Sequence, residues 1–259
     1  MLAAVVLPAT AGSHETGFLN RTVTVGGTTY RYVVYVPADW TSDKTWPIIL
    51  FLHGAGERGD GGLAQSNIGL PSSIRKYPDR FPAVVVMPQC RTGRWWPEPE
   101  MEAQALAALD AATKEFNGDP QRTYLTGLSM GGYGSWDLAS KYPERFAAVA
   151  VVCGGVRLPP NLARLRGTAQ PVDEDPYEPV AKKVAAMPIW VFHGGADPIV
   201  PVSESQNMVK ALKLLNADVR YTEYPGVGHN SWEKAYDEPE FPVWLLGQKL
   251  KGAPKTTAP

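Results

Sequence analysis

The sequence predicts an α/β fold: a mostly parallel sheet of roughly eight strands with helices on both of its faces. Short apolar runs recur along the chain, and helix-compatible stretches lie between them. Near-continuous apolar strands of this kind are typical of parallel sheets that are covered on both sides. The chain has 259 residues, which suits one well-buried domain and is short for two.

The predicted strands begin with a hairpin. Two runs rich in Val, Thr and Tyr flank Gly26 and Gly27, a two-residue turn that tolerates positive φ. The apolar runs that follow are expected to be the parallel strands; they are Pro47–Leu52, Ala83–Met87, Thr123–Leu128, Ala147–Val152, Ile189–Phe192 and Val219–Tyr224.

Helices are predicted from apolar side chains at helical spacing. Residues 102–116 place such side chains along one stripe, and residues 203–216 do so behind a capping box of Ser203 and Gln206. The stretch 155–187 is rich in proline and charge, so we expect a loop with a short helix there and no large cap domain.

The two ends of the chain differ in composition from the middle. Residues 1–17 resemble the apolar core and cleavage site of a signal peptide without its basic start, which favours a leader or disordered segment and a secreted or periplasmic protein. A cytoplasmic location stays open. Residues 18–249 are predicted to form the one folded domain, and residues 250–259 a disordered tail or linker stump of a longer protein.

Overall charge, hydropathy and cysteine content limit the partners and the cysteine chemistry that the sequence predicts. The net charge is −1 and no basic block appears, so neither nucleic acid nor an anionic membrane is expected as a partner. No apolar segment is long enough to span a bilayer. Cys90 and Cys153 each end a strand-like run and are expected to be free buried thiols, although a disulfide is not readable from sequence.

One motif decides the chemistry. Gly127, Ser129 and Gly131 spell G-x-S-x-G between the apolar run that ends at Leu128 and a helix-compatible stretch from Met130. This strand–turn–helix setting is the one that a nucleophile elbow needs, because side chains flanking the serine would collide in so tight a turn. We therefore predict that Ser129 is a nucleophile.

A serine nucleophile needs a base and an acid, which follow it in the order acid and then histidine in this class of fold. His193 ends an apolar strand, so we expect it to be structural. His229 lies on a loop after the last predicted strand and is our candidate base. Asp197 follows the strand 189–192 and should accept the Nδ1–H of His229, which fixes the imidazole tautomer.

The glycine-rich loop after the strand 47–52 has two interpretations. Gly54, Gly56 and Gly59 match the G-x-G-x-x-G pattern of dinucleotide-binding folds. That reading fails because a hairpin precedes the loop and the next strand lacks a terminal acid. An oxyanion hole is the better interpretation, with donors from the backbone N–H of Met130 and of Ala55, and Gly56 as the second choice for the latter.

The chain resembles the α/β-hydrolase family through four segments: HGAGERG, GLSMGG, HGGADPIVP and GVGHNSW. The resemblance is strongest to bacterial serine esterases and peptidases near the phospholipase/carboxylesterase and polyhydroxybutyrate-depolymerase-like enzymes, for which HGxGERG is the more specific mark. It spans about residues 18–249. It implies ester hydrolysis without metal or organic cofactor, by the triad Ser129, Asp197 and His229.

Other side chains are candidates for substrate contact. Loops at the carboxyl ends of parallel strands line such sites, so Trp95, Trp96 and Trp232 are candidates for stacking on a sugar or an aromatic acyl group. Arg58 is a further candidate, or with Glu57 it orders the oxyanion loop through an ion pair. No metal-ligand spacing appears, and no metal is predicted.

These residues predict a serine carboxylesterase that acts on small-molecule or polysaccharide-linked esters. Three alternatives stay open: a peptidase of the same fold, a plant cell-wall esterase that removes feruloyl or acetyl groups, and a catalytically inactive binding module on the same scaffold. The tryptophans, the leader-like start and the linker-like tail favour the cell-wall esterase among the three.

Overall fold

The structure is a computed structural model that describes residues 15–157 and 175–250. Within these ranges the chain forms one eight-stranded sheet in the order β1-β2-β4-β3-β5-β6-β7-β8. The strands are β1 Gly17–Val25, β2 Thr28–Val36, β3 Trp46–Leu52, β4 Val84–Pro88, β5 Gly118–Leu128, β6 Ala148–Val152, β7 Ile189–Gly194 and β8 Val219–Tyr224.

Strands β1 and β2 form the predicted antiparallel hairpin. Val25 pairs with Thr28 across the turn, where Gly26 and Gly27 adopt φ of 55° and 81°. Such left-handed backbone suits glycine, because a Cβ would strain it. Strand β2 pairs antiparallel with β4, and all the remaining pairs in the sheet are parallel. The predicted mostly parallel sheet is therefore confirmed.

Alternate residues of the central strands face two separate apolar cores. On β3, Ile48 and Leu50 point into one core, while Ile49 and Phe51 point into the other. This two-residue period is the geometry of a strand, and burial on both faces explains the unbroken apolar run. The parallel strands thus bring their carboxyl ends to one edge of a fully covered sheet.

Helices cover both faces of the sheet. The first face carries α2 Pro99–Glu115, α3 Met130–Lys141, α4 Tyr177–Val184 and α5 Ser203–Leu214. The second face carries α1 Leu70–Lys76, α6 Trp232–Asp237 and α7 Glu240–Leu246. None of these helices, in the portion of the chain that is described, has the length and apolar character needed to cross a membrane.

One local prediction about α5 is wrong. Val202 precedes the helix, Ser203 is already its first residue, and no side chain caps its start. Gln206 does not fold back toward Ser203, because its Nε2 donates to Glu223 Oε2 at 3.0 Å. The hydrogen bond from Gln206 to Glu223 on the neighbouring strand β8 therefore takes the place of the predicted capping box.

The predictions about the two ends of the chain and about the absence of a cap domain concern residues that mostly lie outside those that the structure describes. Residues 1–14, 158–174 and 251–259 are not among those described. Strand β1 already begins at Gly17, and the Leu250 N–H donates to Gln121 O at 3.0 Å, so both positions belong to the folded unit. The cysteine prediction is confirmed, since Cys90 and Cys153 are both buried thiols and no disulfide joins them.

Candidate active site

Ser129 lies on the tight turn between β5 and α3, with φ of 52° and ψ of −117°. The flanking glycines are needed for steric reasons. A Cβ on Gly131 would lie 1.9 Å from Leu52 O, and one on Gly127 would lie 2.4 Å from Gly131 O. The strained backbone at Ser129 lifts its hydroxyl above the sheet edge, as a nucleophile elbow requires.

A continuous hydrogen-bond chain joins Ser129, His229 and Asp197. His229 Nε2 lies 2.9 Å from Ser129 Oγ, and His229 Nδ1 lies 2.7 Å from Asp197 Oδ2. The imidazole is partly open, with 19% of its side chain exposed, whereas the Asp197 side chain is fully buried. The structure therefore brings together three side chains that are far apart in the sequence, at the carboxyl ends of β5, β7 and β8.

The Asp197 carboxylate is held by four donors. Its Oδ1 accepts the backbone N–H groups of Ile199 at 2.8 Å and Val200 at 3.0 Å, and its Oδ2 faces both His229 and His193. Burial alone would raise the pKa of Asp197, but the bonds from the two histidines and the two amides hold that pKa well below its ordinary value. The acid is therefore an anion under ordinary conditions.

His193 is buried and structural, yet it also touches the site. Its Nε2 faces two acceptors and therefore carries a proton, so in the neutral ring Nδ1 accepts the Ser205 hydroxyl at 2.7 Å. That Nε2–H points at Val200 O at 3.0 Å and at Asp197 Oδ2 at 3.3 Å. The contact with Asp197 was not predicted. The four-residue separation of His193 and Asp197 was the available signal.

The loop after β3 approaches the serine through Gly54, where a Cβ would lie 3.7 Å from Ser129 Cβ. His53 shapes this loop: its Nδ1 donates to Gly54 O at 2.6 Å, and its Nε2 accepts the Cys90 N–H at 2.9 Å. In a planar trans peptide the carbonyl and the next N–H point in opposite directions. His53 therefore fixes the direction of the Ala55 N–H, the predicted oxyanion donor.

The neighbouring charged pair does not behave as expected. Arg58 Nε donates to Ala55 O at 2.9 Å, and its second contact is Arg94 O at 3.4 Å. Among the described residues no ion pair joins Arg58 to Glu57. Burial raises the pKa of the Glu57 carboxyl instead, with partial relief from nearby backbone N–H groups. The Arg58 guanidinium therefore orders the loop by hydrogen bonds to backbone carbonyl oxygens and not by an ion pair with Glu57.

The three candidate tryptophans occupy different surroundings. Trp96 is only 1% exposed and its Nε1 donates to His53 O at 2.9 Å, so its proposed substrate contact is corrected to a core position beneath the loop. Trp95 is half-buried against the Tyr133 ring, 6.1 Å between centroids. Trp232 lies edge-on to His229 at 5.4 Å. Trp95 and Trp232 stay candidates for substrate contact.

Cys153 is a neighbour of the site that sequence reasoning treated only as a core thiol. One ligand atom from each of Cys153, Asp197 and His229 lies within 4.8 Å of the others. Burial raises the pKa of the Cys153 thiol to about 12, so it is protonated and does not compete with Ser129 as a nucleophile. Its position at the end of β6, next to β5, was the signal that could have placed it here.

A family model supports this description of the fold. The model of the dienelactone hydrolase family matches residues 78–240, so the chain belongs to that family, whose fold is the α/β-hydrolase fold. The narrower resemblance marked by HGxGERG stays a prediction.

Individual relatives are esterases. The chain is 25% identical to Carboxylesterase SOBER1 of Arabidopsis thaliana, over 80% of this chain and 92% of that protein. It is 28% identical to the Bifunctional acetylxylan esterase/xylanase XynS20E of Neocallimastix patriciarum, over 68% of this chain and 23% of that protein. A solved thermostable esterase matches with TM-score 0.75 and 32% identity, over 90% of this chain and 63% of that one.

The coverage of these relatives is uneven. In three curated relatives the chain spans no more than 46% of the relative's length. The family and the relatives support a carboxylic ester hydrolase as the class of enzyme.

Proposed function

We propose that this protein is a serine carboxylesterase that uses Ser129, His229 and Asp197 as its catalytic triad. The observation that carries the proposal is the hydrogen-bond chain from Ser129 Oγ through both ring nitrogens of His229 to Asp197 Oδ2, at 2.9 and 2.7 Å. A serine hydroxyl becomes an effective nucleophile only beside such a base, and a base with a fixed tautomer is the arrangement that ester hydrolysis needs.

The proposed reaction proceeds in two halves. His229 Nε2 takes the Ser129 proton as Oγ attacks the ester carbonyl, and His229 then protonates the departing alcohol, which leaves an acyl-enzyme. Water activated by His229 releases the acid and restores the serine. Asp197 keeps the imidazole oriented and stabilises its protonated form. The backbone N–H groups of Met130 and Ala55, or of Gly56 in place of Ala55, receive the negative oxygen of each tetrahedral intermediate.

The proposed substrates are small-molecule or carbohydrate-linked carboxylic esters. Trp232 offers partly exposed aromatic surface edge-on to His229, Trp95 offers partly exposed aromatic surface against Tyr133 of α3, and Arg58 lies on the loop after β3. None of the proposed steps requires a cofactor, because the base, the nucleophile and the oxyanion donors all come from the chain. A secreted or periplasmic location remains a prediction from residues 1–17 alone.

The test is Ser129→Ala, with Ser140→Ala in the following helix α3 as the control, because the Ser140 hydroxyl bonds only Asp137 O among the described contacts. We expect Ser129→Ala to fold normally and to lose hydrolysis of p-nitrophenyl esters by ~10⁴–10⁶-fold. Ser140→Ala should keep full rate, and a fluorophosphonate should label every variant except Ser129→Ala. Near-normal turnover by Ser129→Ala would refute the assignment.

A cell-wall esterase is the second candidate, and two observations favour it. Trp232 lies edge-on to His229, and one relative is an acetylxylan esterase/xylanase. Rates on acetylated xylan and methyl ferulate, compared with short-chain p-nitrophenyl esters, decide between this candidate and a general carboxylesterase. Aminoacyl anilides in the same series test the peptidase alternative, and fluorophosphonate labelling of Ser129 would exclude an inactive binding module.

A further inference from the structure

A thiol, a carboxylate and the imidazole of His229 lie close together at the proposed active site. Cys153, Asp197 and His229 come from the ends of β6, β7 and β8, which are consecutive neighbours in the sheet. One ligand atom from each lies within 4.8 Å of the other two. Thiolate, carboxylate and imidazole are the groups that bind Zn²⁺ in tetrahedral protein sites.

The backbone of Cys153 is held by a hydrogen bond, and a second side chain lies beside its sulfur. The Cys153 N–H donates to Phe192 O at 2.8 Å, and its backbone adopts φ of 40°, a value that is uncommon outside glycine. The Ser231 hydroxyl, which is itself fully buried, lies beside the sulfur. A sulfur ligand selects thiophilic cations over Mg²⁺ and Ca²⁺, which prefer oxygen alone.

We propose that Cys153, Asp197 and His229 form an inhibitory site for a thiophilic divalent cation such as Zn²⁺ or Cd²⁺. The ion takes the Cys153 sulfur, one carboxylate oxygen of Asp197 and one ring nitrogen of His229, and the thiol proton passes to solvent as the thiolate forms. No oxidation and no bond to substrate is involved. Entry proceeds through the His229 side, where the imidazole is partly exposed.

Inhibition follows from the identity of the ligands. If the ion takes Nε2 of His229, Ser129 loses its proton acceptor. If it takes Nδ1, the Nδ1 proton moves to Nε2, so the bond to Asp197 is lost and Nε2 can no longer accept the Ser129 proton. Either outcome removes the base. Because the ion must replace an existing hydrogen bond of His229, of 2.9 Å at Nε2 or 2.7 Å at Nδ1, we expect weaker binding than at a dedicated structural zinc site, and full reversal by a chelator.

The experiment titrates the full chain with Cd²⁺ and Zn²⁺ and uses a readout that needs no substrate. Cd²⁺ bound to a thiolate produces an ultraviolet charge-transfer band, and calorimetry follows Zn²⁺ directly. We compare the wild type with Cys153→Ser and with Cys90→Ser, a variant of the chain's other buried thiol. Loss of a direct ligand should cost more than the ~10–100-fold in affinity that outer partners of metal sites typically cost.

The expected result is a cadmium band and zinc inhibition in the wild type and in Cys90→Ser, with both lost in Cys153→Ser. Inhibition is measured against each variant's own metal-free rate, and Asp197→Asn should also weaken the band. A band that persists in Cys153→Ser, no band at all, or equal zinc inhibition in that variant overturns the proposal. This site rests on the proposed function only for its inhibitory effect, because the cadmium and calorimetric measurements stand even if the chain hydrolyses no ester.

Discussion

His53 is a buried imidazole whose two nitrogens are both used by the backbone. Burial lowers its pKa from 6.5 to about 4, with a further lowering from Arg58 and partial opposition from the bond to Gly54 O. The ring is therefore neutral at neutral pH, with its proton on Nδ1 facing Gly54. A neutral ring with this tautomer holds the Gly54 carbonyl and the Cys90 N–H at the same time.

The first prediction concerns acid stability. The unfolded chain binds a proton at His53 near pH 6.5 and the folded chain only near pH 4. The His53 contribution to stability is therefore complete above about pH 6.5 and is lost as the pH falls toward 4, by up to about 3 kcal/mol. His53→Asn should remove this slope, which urea denaturation between pH 4 and 8 measures. Identical pH slopes in the two proteins would contradict the assignment.

His193 is expected to act as a positioning residue through Asp197. His193→Phe keeps a ring but removes the donor, so the pKa of Asp197 should rise. The depressed pKa of Asp197 gives stability that is complete above the ordinary value of 3.8 and is lost as the pH falls through the folded pKa. A higher folded pKa therefore reduces that stability and moves its loss to higher pH.

The measurements for His193 separate positioning from simple packing. We expect His193→Phe to lose about 1.5–3 kcal/mol of stability, as for a hydrogen bond to a charged group, and to shift the acid limb of the kcat/KM profile upward. His193→Gln retains a side-chain N–H and should recover part of both effects. The role fails if the Phe variant is destabilised while its pH profile matches that of the wild type.

The limits of prediction are clearest at single residues. The order of Ser129, Asp197 and His229 followed from short motifs whose chemistry constrains their spacing. Trp96 was misplaced, because whether an indole faces substrate or His53 O depends on how a loop packs. No periodicity in a sequence records that packing. The His193–Asp197 contact depends on a loop conformation in the same way.

Among the elements, the parallel strands were predicted well, because a strand that is buried on both faces needs apolar residues at consecutive positions. Strand β5 is the exception, since it begins at Gly118 and not at Thr123. Its first residues pair irregularly, with Gly118 opposite Trp46 and a register shift before Ile48. Polar residues in this extension carry no strand signal, so only the pairing with β3 reveals it.

The elbow between β5 and α3 carries a prediction at the scale of elements. Gly131→Ala should force α3 away from β3, because the added Cβ would meet Leu52 O at 1.9 Å. We expect loss of fluorophosphonate labelling at Ser129 together with a large loss of stability. Gly61→Ala is the matched control, because a Cβ there meets nothing within 4 Å. Equal stability and labelling of the two variants would show that the close approach of helix and strand is unnecessary.

For the molecule as a whole, the described parts join into one sheet with a core on each face, from β1 to the segment after α7. The end of this unit is tied down by specific bonds. The single Tyr124 O–H proton is shared between Gln248 O at 2.8 Å and Leu246 O at 3.1 Å, and Leu250 N–H donates to Gln121 O at 3.0 Å. The boundary at 249 stays a prediction, and we propose from these bonds that Leu250 also belongs to the domain.

The last prediction tests that boundary by truncation. A chain of residues 15–250 keeps every strand and both cores that the structure describes, so it should match the full chain in thermal midpoint and in ester hydrolysis. A chain ending at 247 loses one acceptor of Tyr124 and the bond to Gln121, each of which contributes about 0.5–1.5 kcal/mol. At about 2–4 °C per kcal/mol for a domain of this size, its midpoint should fall measurably. If the 15–250 chain unfolds earlier than the full chain, residues outside this range stabilise the domain and the proposed boundary is wrong. If the 247 variant matches the 15–250 chain, the bonds after α7 do not fix its end.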